Sequence, residues 1–313
     1  MDSKNIIAVD LGASNLRIAL ITKSGEILKN SKTPTIHGSE STILKQIIDG
    51  INNLLKKEEI ESASVIGISV AGPIDTNKGS VILTNLNNKN ILITEPLQSK
   101  FKKKVVLMND ANAAVLAEKY FGAGKNFDNL VYVTISTGIG GGAIIDGELL
   151  LGATGSAVEI GHFYIDECYN LKCSCGGANH WEAYCSGKNI QNFFRVWAKK
   201  NNYPSEKDYS DVFKIFSEAE NGDKLALQFM KEYGKVNAKG ILNIIAAYNP
   251  SLIILGGGIP INHQDAILSN IKIGIENHND FFMLPEIKIT ELGDENCLLG
   301  IAAATIHNKQ TCL

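Results

Sequence analysis

Apolar segments of strand length alternate along the chain with longer segments that repeat at helical spacing. Buried strands are predicted by the apolar runs at 6–11, 16–21, 65–70, 105–108, 130–136, 252–255 and 287–292. Helices are predicted at 41–57, where isoleucine and leucine recur on one face, at 111–120, within 188–249 and at 297–307. Strands that alternate with helices are typical of the α/β class.

Two parts of the chain repeat one layout of strand, small-residue turn and return strand. The first copy runs from residue 6 to residue 21, and the second from residue 130 to residue 145, with its turn at 137–141. The repetition predicts two related α/β domains that flank a cleft. We expect the first domain to span 1–117, joined by the terminal helix at about 297–313, and the second to span 118–296.

Composition limits the classes of partner. The chain has 313 residues, which suits two domains, and 44% apolar with 20% charged residues is ordinary for a globular protein. A formal charge of −3 provides no basic field for nucleic acid or anionic lipid. The start, MDSKNIIAVD, lacks the pattern of a signal peptide, and no apolar run reaches membrane-spanning length. We therefore expect a cytoplasmic protein with small-molecule ligands and neither nucleic acid nor membrane as partner.

The small-residue turns are candidates for binding phosphate. In 10–15 and 136–141, small side chains would let backbone N–H groups approach an anion together. Asp10, at the end of a buried strand, could hold Mg²⁺ through water. Either turn could instead be an ordinary hairpin connection. The pairing of two such turns, with a third glycine cluster at 256–258, favours nucleotide binding, and no P-loop motif is present.

Asn109 and Asp110 follow a buried strand and precede a helix. Open α/β sheets place functional side chains at the carboxyl ends of strands, so Asp110 is a candidate base and Asn109 a candidate partner for a substrate hydroxyl. Asp110 could equally be a helix cap, which is a common role of aspartate. The pattern alone leaves both interpretations open.

Four potential metal ligands lie within a short segment: His162, Cys173, Cys175 and His180. Two thiolates and two imidazoles complete a tetrahedral zinc site with no open position, so the predicted zinc is structural. Cys168 and Cys185 are competing ligands, and unligated cysteines are the simpler alternative. Local crowding of cysteine and histidine without an export signal favours metal over a disulfide.

These elements, in this order, resemble the ROK family of sugar kinases and sugar-responsive repressors, within the hexokinase/actin-like ATPase superfold. The resemblance covers essentially the whole chain. Its motifs are Asp10-x-Gly12, Gly72-Pro73, Asn109-Asp110, the glycine turn at 137–141, Glu159-Ile160-Gly161-His162, Cys173-x-Cys175-Gly176 with Glu182, and Gly256-Gly257-Gly258. The combination of Glu-x-Gly-His with Cys-x-Cys-Gly is the specific part.

The resemblance implies an actin-like (ribonuclease H-like) fold and a role for each motif. Asp110 would take the proton from the 6-hydroxyl of a hexose. The sugar would contact Gly72, Asn109, Asp110, Glu159, His162 and Glu182. ATP would contact Asp10, Gly12, Ser14, Asn15, Thr137, Gly138 and Gly257, with Mg²⁺ as its companion ion. His162 would serve zinc with one ring nitrogen and the sugar with the other. A homodimer is also implied.

Some positions depart from the family pattern. His180 stands where a third cysteine is usual and Asn179 where a glycine is usual. Because histidine is a competent zinc ligand, we expect a Cys₂His₂ site. The first phosphate turn has Ala13 and Ser14 where Gly-Thr is usual, and both remain small.

Several functions fit the motifs. A glucokinase or broad hexokinase is the leading interpretation, and an N-acetylmannosamine or N-acetylglucosamine kinase is the alternative. A sugar-sensing repressor is a remote alternative, because family repressors carry a DNA-binding segment before the first phosphate turn and Asp10 is the tenth residue here. A non-catalytic sugar-binding protein would be expected to lack Asp10, Asp110 or a glycine turn, and all are present.

Overall fold

A computed structural model of the chain describes residues 5–75, 78–83, 89–203, 209, 212–276 and 283–307. The chain divides into two compact units. The first contains 1–128, 146–157 and 291–313, and the second contains 129–145 and 158–290. The boundary that the sequence suggested, between residues 117 and 118, lies inside a helix of the first unit.

Strands and helices alternate as the α/β class requires. The strands are β1 (Ile6–Leu11), β2 (Asn15–Ile21), β3 (Ile27–Pro34), β4 (Val65–Val70), β5 (Ile74–Asp75), β6 (Ser80–Leu83), β7 (Lys89–Leu92), β8 (Lys104–Asn109), β9 (Leu130–Ile135), β10 (Ile139–Ile145), β11 (Glu148–Leu149), β12 (Leu252–Gly256) and β13 (Glu286–Ile289). The helices are α1 (Glu40–Leu54), α2 (Lys57–Ser62), α3 (Thr94–Phe101), α4 (Asp110–Tyr120), α5 (Trp181–Cys185), α6 (Ile190–Lys200), α7 (Val212–Glu220), α8 (Lys224–Tyr248), α9 (Gly258–Asn262), α10 (Gln264–Glu276) and α11 (Asn296–His307).

The first unit is built on a five-stranded sheet in the order β3-β2-β1-β4-β8. β1, β2 and β3 are antiparallel neighbours, whereas β1, β4 and β8 are parallel. The strands β1 and β4 are buried along their whole length, which explains their continuous apolar sequences. The isoleucines at 43, 47 and 51 form the buried face of α1, as the helical spacing predicted.

The helix α11 packs on the first unit against α4 and the central strands β1 and β4. Glycine permits the close approach of the two helices: a Cβ on Gly300 would lie 1.7 Å from the carbonyl oxygen of Ala113. Gly67 does the same for the sheet, since a Cβ there would lie 2.7 Å from Cγ1 of Ile301. The small residues of these elements therefore define a tight helix–helix–sheet layer.

The second unit repeats the arrangement of the first. β9 and β10 form an antiparallel hairpin, and β12 runs parallel to β9 on one side and to β13 on the other. The long helix α8 packs against α5, α7 and α10. Trp181 of α5 fits against α8 because Gly240 has no side chain, and its indole N–H donates to Oδ1 of Asn237 at 2.9 Å. The predicted α/β class and the repeated strand–turn–strand layout are confirmed.

Two predicted boundaries differ from the structure. The helix expected at 41–57 ends at Leu54, and a separate short helix, α2, follows. The return strand β10 begins at Ile139, so the glycines at 140–142 lie within the strand and the turn is shorter than expected. The reason is packing: a Cβ on Gly141 would lie 2.6 Å from Cδ1 of Ile160. None of the helices in the described ranges is both long and apolar enough to cross a bilayer.

We predict that Gly300→Ala destabilises the protein by about 1–3 kcal/mol or more, because the added methyl meets the backbone of Ala113 rather than a movable side chain. Gly258→Ala is the matched control, since its Cβ meets nothing nearer than 4.0 Å. Urea denaturation of both variants measures the effect. Equal stability of the two variants would contradict the proposed close approach of α4 and α11.

Candidate functional site

In the first unit, three candidate segments leave neighbouring parallel strands at the same edge. The register pairs Leu11 of β1 with Val70 of β4, and Val70 with Asn109 of β8. The turn that follows Asp10, the loop at Gly72 and the start of α4 therefore emerge side by side. The side-chain amide of Asn109 donates to the carbonyl of Gly72 at 3.5 Å.

Gly72 has a conformation that favours glycine. Its φ is 119°, and a Cβ there would lie 2.6 Å from the carbonyl oxygen of Ile82. The loop after β4 is thereby held next to the small sheet β5-β6-β7. The predicted sugar-binding position Gly72 thus has a defined backbone requirement.

Asp10 is buried at the end of β1 and pairs with Arg17. The two residues are opposite each other in the β1–β2 hairpin, and Nη1 of Arg17 lies 3.1 Å from Oδ2 of Asp10. Nη2 of Arg17 lies 3.2 Å from the carboxylate of Asp294, just before α11. Burial raises the pKa of Asp10 from its ordinary value of 3.8 to about 6, and the charge of Arg17 opposes this rise.

The first small-residue turn is closed by its own backbone. The N–H of Gly12 donates to the carbonyl of Asn15 at 3.0 Å, and Ala13 and Ser14 are exposed at its tip. Thr35, directly after β3, stabilises the turn with two hydrogen bonds. Its N–H donates to the carbonyl of Ser14, and its hydroxyl donates to the carbonyl of Gly12. The tip is therefore a rigid, exposed loop of small residues, which suits backbone contacts with phosphate.

Asn109, and not Asp110, caps α4. Its Oδ1 accepts hydrogen bonds from the N–H groups of Ala111 at 2.9 Å and Asn112 at 3.3 Å. Asp110 is the first residue of the helix, where a negative charge is favourable, and it is only partly buried. The role of helix cap, which the sequence left open for Asp110, is therefore mainly that of Asn109. Oδ1 of Asp110 also accepts from Ala111, and its backbone carbonyl lies 3.7 Å from the thiol of Cys297.

In the second unit, the glycine turn and the third glycine cluster leave the parallel strands β9 and β12 at one edge. Gly256 pairs with Thr134 in the sheet. Gly257 has φ 87°, and a Cβ there would lie 2.6 Å from the carbonyl oxygen of Ile135. The turn is closed by the N–H of Ser136, which donates to Gly138 at 2.9 Å, and Thr137 is exposed. The predicted nucleotide-binding residues of this unit therefore share one edge.

Glu182 connects this turn to the segment that contains the predicted metal ligands. Its Oε2 accepts the N–H of Ile139 at 3.0 Å, and its Oε1 accepts the hydroxyl of Ser174 at 2.6 Å. The carboxylate also explains a glycine in the turn, because a Cβ on Gly138 would lie 2.6 Å from Oε2. Buried Trp181 and Tyr184 on either side anchor the short helix that holds Glu182.

The four predicted zinc ligands come together. One ligand atom from each of His162, Cys173, Cys175 and His180 lies within 4.8 Å of all the others. Nδ1 of His162 is 3.8 Å from Sγ of Cys173, and Nδ1 of His180 is 3.3 Å from Sγ of Cys175. These separations suit a tetrahedral site with Zn–S of about 2.3 Å and Zn–N of about 2.0–2.1 Å. The competing residues Cys168 and Cys185 are not part of this group.

The loop that carries both thiols is a tight hairpin. The N–H of Cys173 donates to Gly177 at 2.9 Å, and Gly176 has φ 93°. Asn179 has φ 64°, a left-handed conformation that asparagine tolerates, which explains how it replaces the glycine of the family pattern. Its buried side chain bonds to the hydroxyls of Tyr164 and Tyr184. The replacement therefore adds anchors to the loop.

His162 presents its two ring nitrogens to different partners. Nδ1 faces Sγ of Cys173, within the metal group formed by His162, Cys173, Cys175 and His180. Nε2 lies 4.0 Å from Oε2 of Glu159. The side chain of Glu159 is half-exposed. Its partial burial raises the pKa of the carboxyl above the ordinary value, and the nearby His162 opposes this rise. The two ring nitrogens therefore face different neighbours, and the double role that the resemblance implied for this histidine stays a prediction.

Sequence reasoning missed three contributors: Arg17 as the partner of Asp10, Asn109 as the cap of α4, and Ser174 as the partner of Glu182. The hairpin carried a usable signal for Arg17, because a short turn between two strands places residues 10 and 17 opposite each other. The contact of Ser174 joins two segments through tertiary structure, so no local spacing predicts it.

The pKa of Asp10 predicts a specific dependence of stability on pH. Since the folded state raises this pKa from 3.8 to about 6, the folded protein binds an extra proton between these values and gains stability as pH falls. The stability of the wild type minus that of Asp10→Asn should rise from pH 7 to pH 4, by on the order of 2 kcal/mol. Chemical denaturation without nucleotide or Mg²⁺ measures it, and a difference that stays flat or falls would contradict the shift.

Comparisons with known proteins agree with these features. The profile of the ROK family matches residues 6–308. The chain is 31% identical over 315 residues to the glucokinase of Pyrobaculum calidifontis, which covers 97% of this chain and 96% of that protein. It is also 30% identical over 311 residues to the xylose repressor of Bacillus spizizenii, which covers 96% of this chain and 77% of the repressor.

A solved structure is similar along the same length. It is a ROK family glucokinase from Streptomyces griseus in complex with glucose and AMPPNP, with a TM-score of 0.78 and 26% identity. The similarity covers 95% of this chain and 98% of that one. The family resemblance read from the motifs is confirmed: this chain belongs to the ROK family.

Proposed function

We propose that this chain is an ATP-dependent hexokinase that phosphorylates the 6-hydroxyl of its sugar, with glucose as the substrate. Similarity over nearly the full length to a curated glucokinase and to a glucokinase solved with glucose and AMPPNP supports the proposal. The observation that carries it is the corner at Asn109 and Asp110, where a carboxylate stands at the end of a parallel strand and its neighbour supplies the helix cap. Asn109 supplies the cap of the helix, and the carboxylate of Asp110 follows it directly at the end of the strand.

Asp110 acts as the general base. Phosphoryl transfer needs an aligned acceptor and a group that receives the proton of the attacking hydroxyl, and a carboxylate can do both. Oδ1 of Asp110 accepts the N–H of Ala111 at 2.9 Å, which orients the carboxylate at the start of the helix. Asn109 holds a neighbouring hydroxyl through its amide, which also donates to the Gly72 loop. Glu159, His162 and Glu182 bind ring hydroxyls of the sugar.

Each unit has a small-residue turn that suits contacts with nucleotide phosphates. In the first unit, Gly12, Ser14 and Asn15 offer N–H groups and hydroxyls. In the second unit, Thr137 and Gly138 offer the same kinds of group. Gly257 lies beside the adenine of the nucleotide. Asp10 is the residue for Mg²⁺, since a carboxylate is a hard oxygen ligand and its contact with Arg17 uses Oδ2. Magnesium, when bound, neutralises charge on the transferred phosphoryl group.

We propose zinc as the metal of the group formed by His162, Cys173, Cys175 and His180. The donor set of two thiolates and two imidazoles is typical of structural zinc and has no position left for substrate. Zinc on Nδ1 of His162 would fix the ring, so that Nε2 keeps one orientation toward the sugar. The metal therefore has a structural role.

Replacing Asp110 by asparagine tests the central role. We predict that Asp110→Asn lowers kcat by about 10²–10⁴-fold, because the amide cannot accept the proton, while glucose binding persists. Coupled measurement of ADP release gives kcat, and calorimetry gives the Kd for glucose. Asp49→Asn, an exposed aspartate on α1, is the control. Near-normal turnover of Asp110→Asn would remove Asp110 from the role of base.

The zinc proposal predicts about one zinc ion per chain in protein purified without chelators. Cys175→Ser should lose the metal, since it removes one of four ligands, whereas Cys168→Ser should keep it. Elemental analysis by mass spectrometry measures both variants beside the wild type. Metal loss in Cys168→Ser with retention in Cys175→Ser would overturn the ligand set.

A further inference from the structure

The hydroxyl of Ser174 and the N–H of Ile139 hold opposite oxygens of one carboxylate, that of Glu182. Ser174 lies between the two cysteines of the metal group, and Ile139 is the first residue of β10, directly after the glycine turn. We propose that Ser174 is a positioning residue: it fixes the carboxylate of Glu182 and, through it, the glycine turn that binds the nucleotide.

The hydrogen bond from Ser174 is the shortest contact of this carboxylate, whose Oε1 also lies 3.7 Å from the thiol of Cys173. At 2.6 Å, a hydroxyl that donates to a carboxylate is a charge-assisted bond, which is stronger than a bond between neutral groups. Ser174 is exposed, but its backbone is fixed because the flanking loop is closed by hydrogen bonds from Cys173 and Gly176. The serine therefore offers its hydroxyl from a rigid support.

The turn depends on where the carboxylate lies. Ile139 is buried, so its N–H loses a partner in a place with little water if Glu182 rotates away. Oε2 also occupies the space beside Gly138, where a Cβ would lie only 2.6 Å away. Glu182 thus occupies the space that a side chain at position 138 would need, and it accepts the hydrogen bond of the Ile139 amide that follows the turn.

This coupling deepens the proposed function, on which its kinetic part rests. A carboxylate held at both oxygens still has lone pairs for a sugar hydroxyl, and it has one orientation in which to use them. The hydrogen bonds of Ser174 and Ile139 therefore prepare the sugar ligand and the nucleotide turn together. Loss of the serine hydroxyl weakens both without altering the metal ligands.

Hydrogen–deuterium exchange on Ser174→Ala tests the structural part without requiring activity. We expect peptides that cover residues 136–141 to exchange at least about tenfold faster than in the wild type, because the amide of Ile139 is held less firmly. Zinc content and melting temperature should stay unchanged. Ser174→Thr restores the hydroxyl and should restore protection. Tyr164→Phe is the control, since its hydroxyl bonds to Glu167 and Asn179 and not to Glu182.

The kinetic part uses the same variants. Ser174→Ala should raise the KM for ATP and for glucose by about tenfold each and should lower kcat less, with recovery in Ser174→Thr. Unchanged exchange at 136–141 in Ser174→Ala, or loss of zinc from that variant, would overturn the positioning role. A wild type without kinase activity would instead refute the proposed function and leave the exchange result valid.

Discussion

The parallel register of β1, β4 and β8 is the constraint on which the candidate chemistry of the first unit depends. It aligns Leu11, Val70 and Asn109, so the segments that follow them leave the sheet together. A slip of one residue in β8 would turn the side chains of that strand to the opposite face. β1 and β4 are buried along their whole length, so packing covers both faces of each strand.

The second unit places its glycine turn at the corresponding edge of its own sheet. It also has a loop that several contacts hold in place. Its glycine turn is held from outside by Glu182, whose own helix is anchored by Trp181 on α8. The loop of the candidate metal ligands reaches this carboxylate through the hydroxyl of Ser174 at 2.6 Å and the thiol of Cys173 at 3.7 Å. Packing and hydrogen bonds thus act on one short segment, and the proposed structural metal would act on the same segment, beside residues proposed to bind the sugar.

Sequence reasoning succeeded where the signal was local. Three features could be predicted from residues that are close in sequence. They are the continuous apolar strands, the helical repeat around Ile47 and the grouping of the four predicted metal ligands. It was less accurate at Gly141, where a glycine that looked like a turn residue serves close packing against Ile160. It also missed Arg17, which pairs with Asp10 across the hairpin.

The contacts that could not be predicted join distant segments. Arg17 reaches Asp294 only because α11 returns to the first unit, and Ser174 reaches Glu182 only because the metal-ligand loop folds onto α5. Motifs pointed to the residue types of the candidate site. The way in which neighbouring groups hold those residues depends on tertiary structure.

Identification of the product tests the account most directly. Incubation of the purified protein with glucose and Mg-ATP, followed by ³¹P and ¹³C NMR, locates the transferred phosphoryl group. The account predicts glucose 6-phosphate formed in step with ADP. A protein that binds glucose but leaves both glucose and ATP unchanged, or one that phosphorylates only an N-acetylhexosamine, would contradict it.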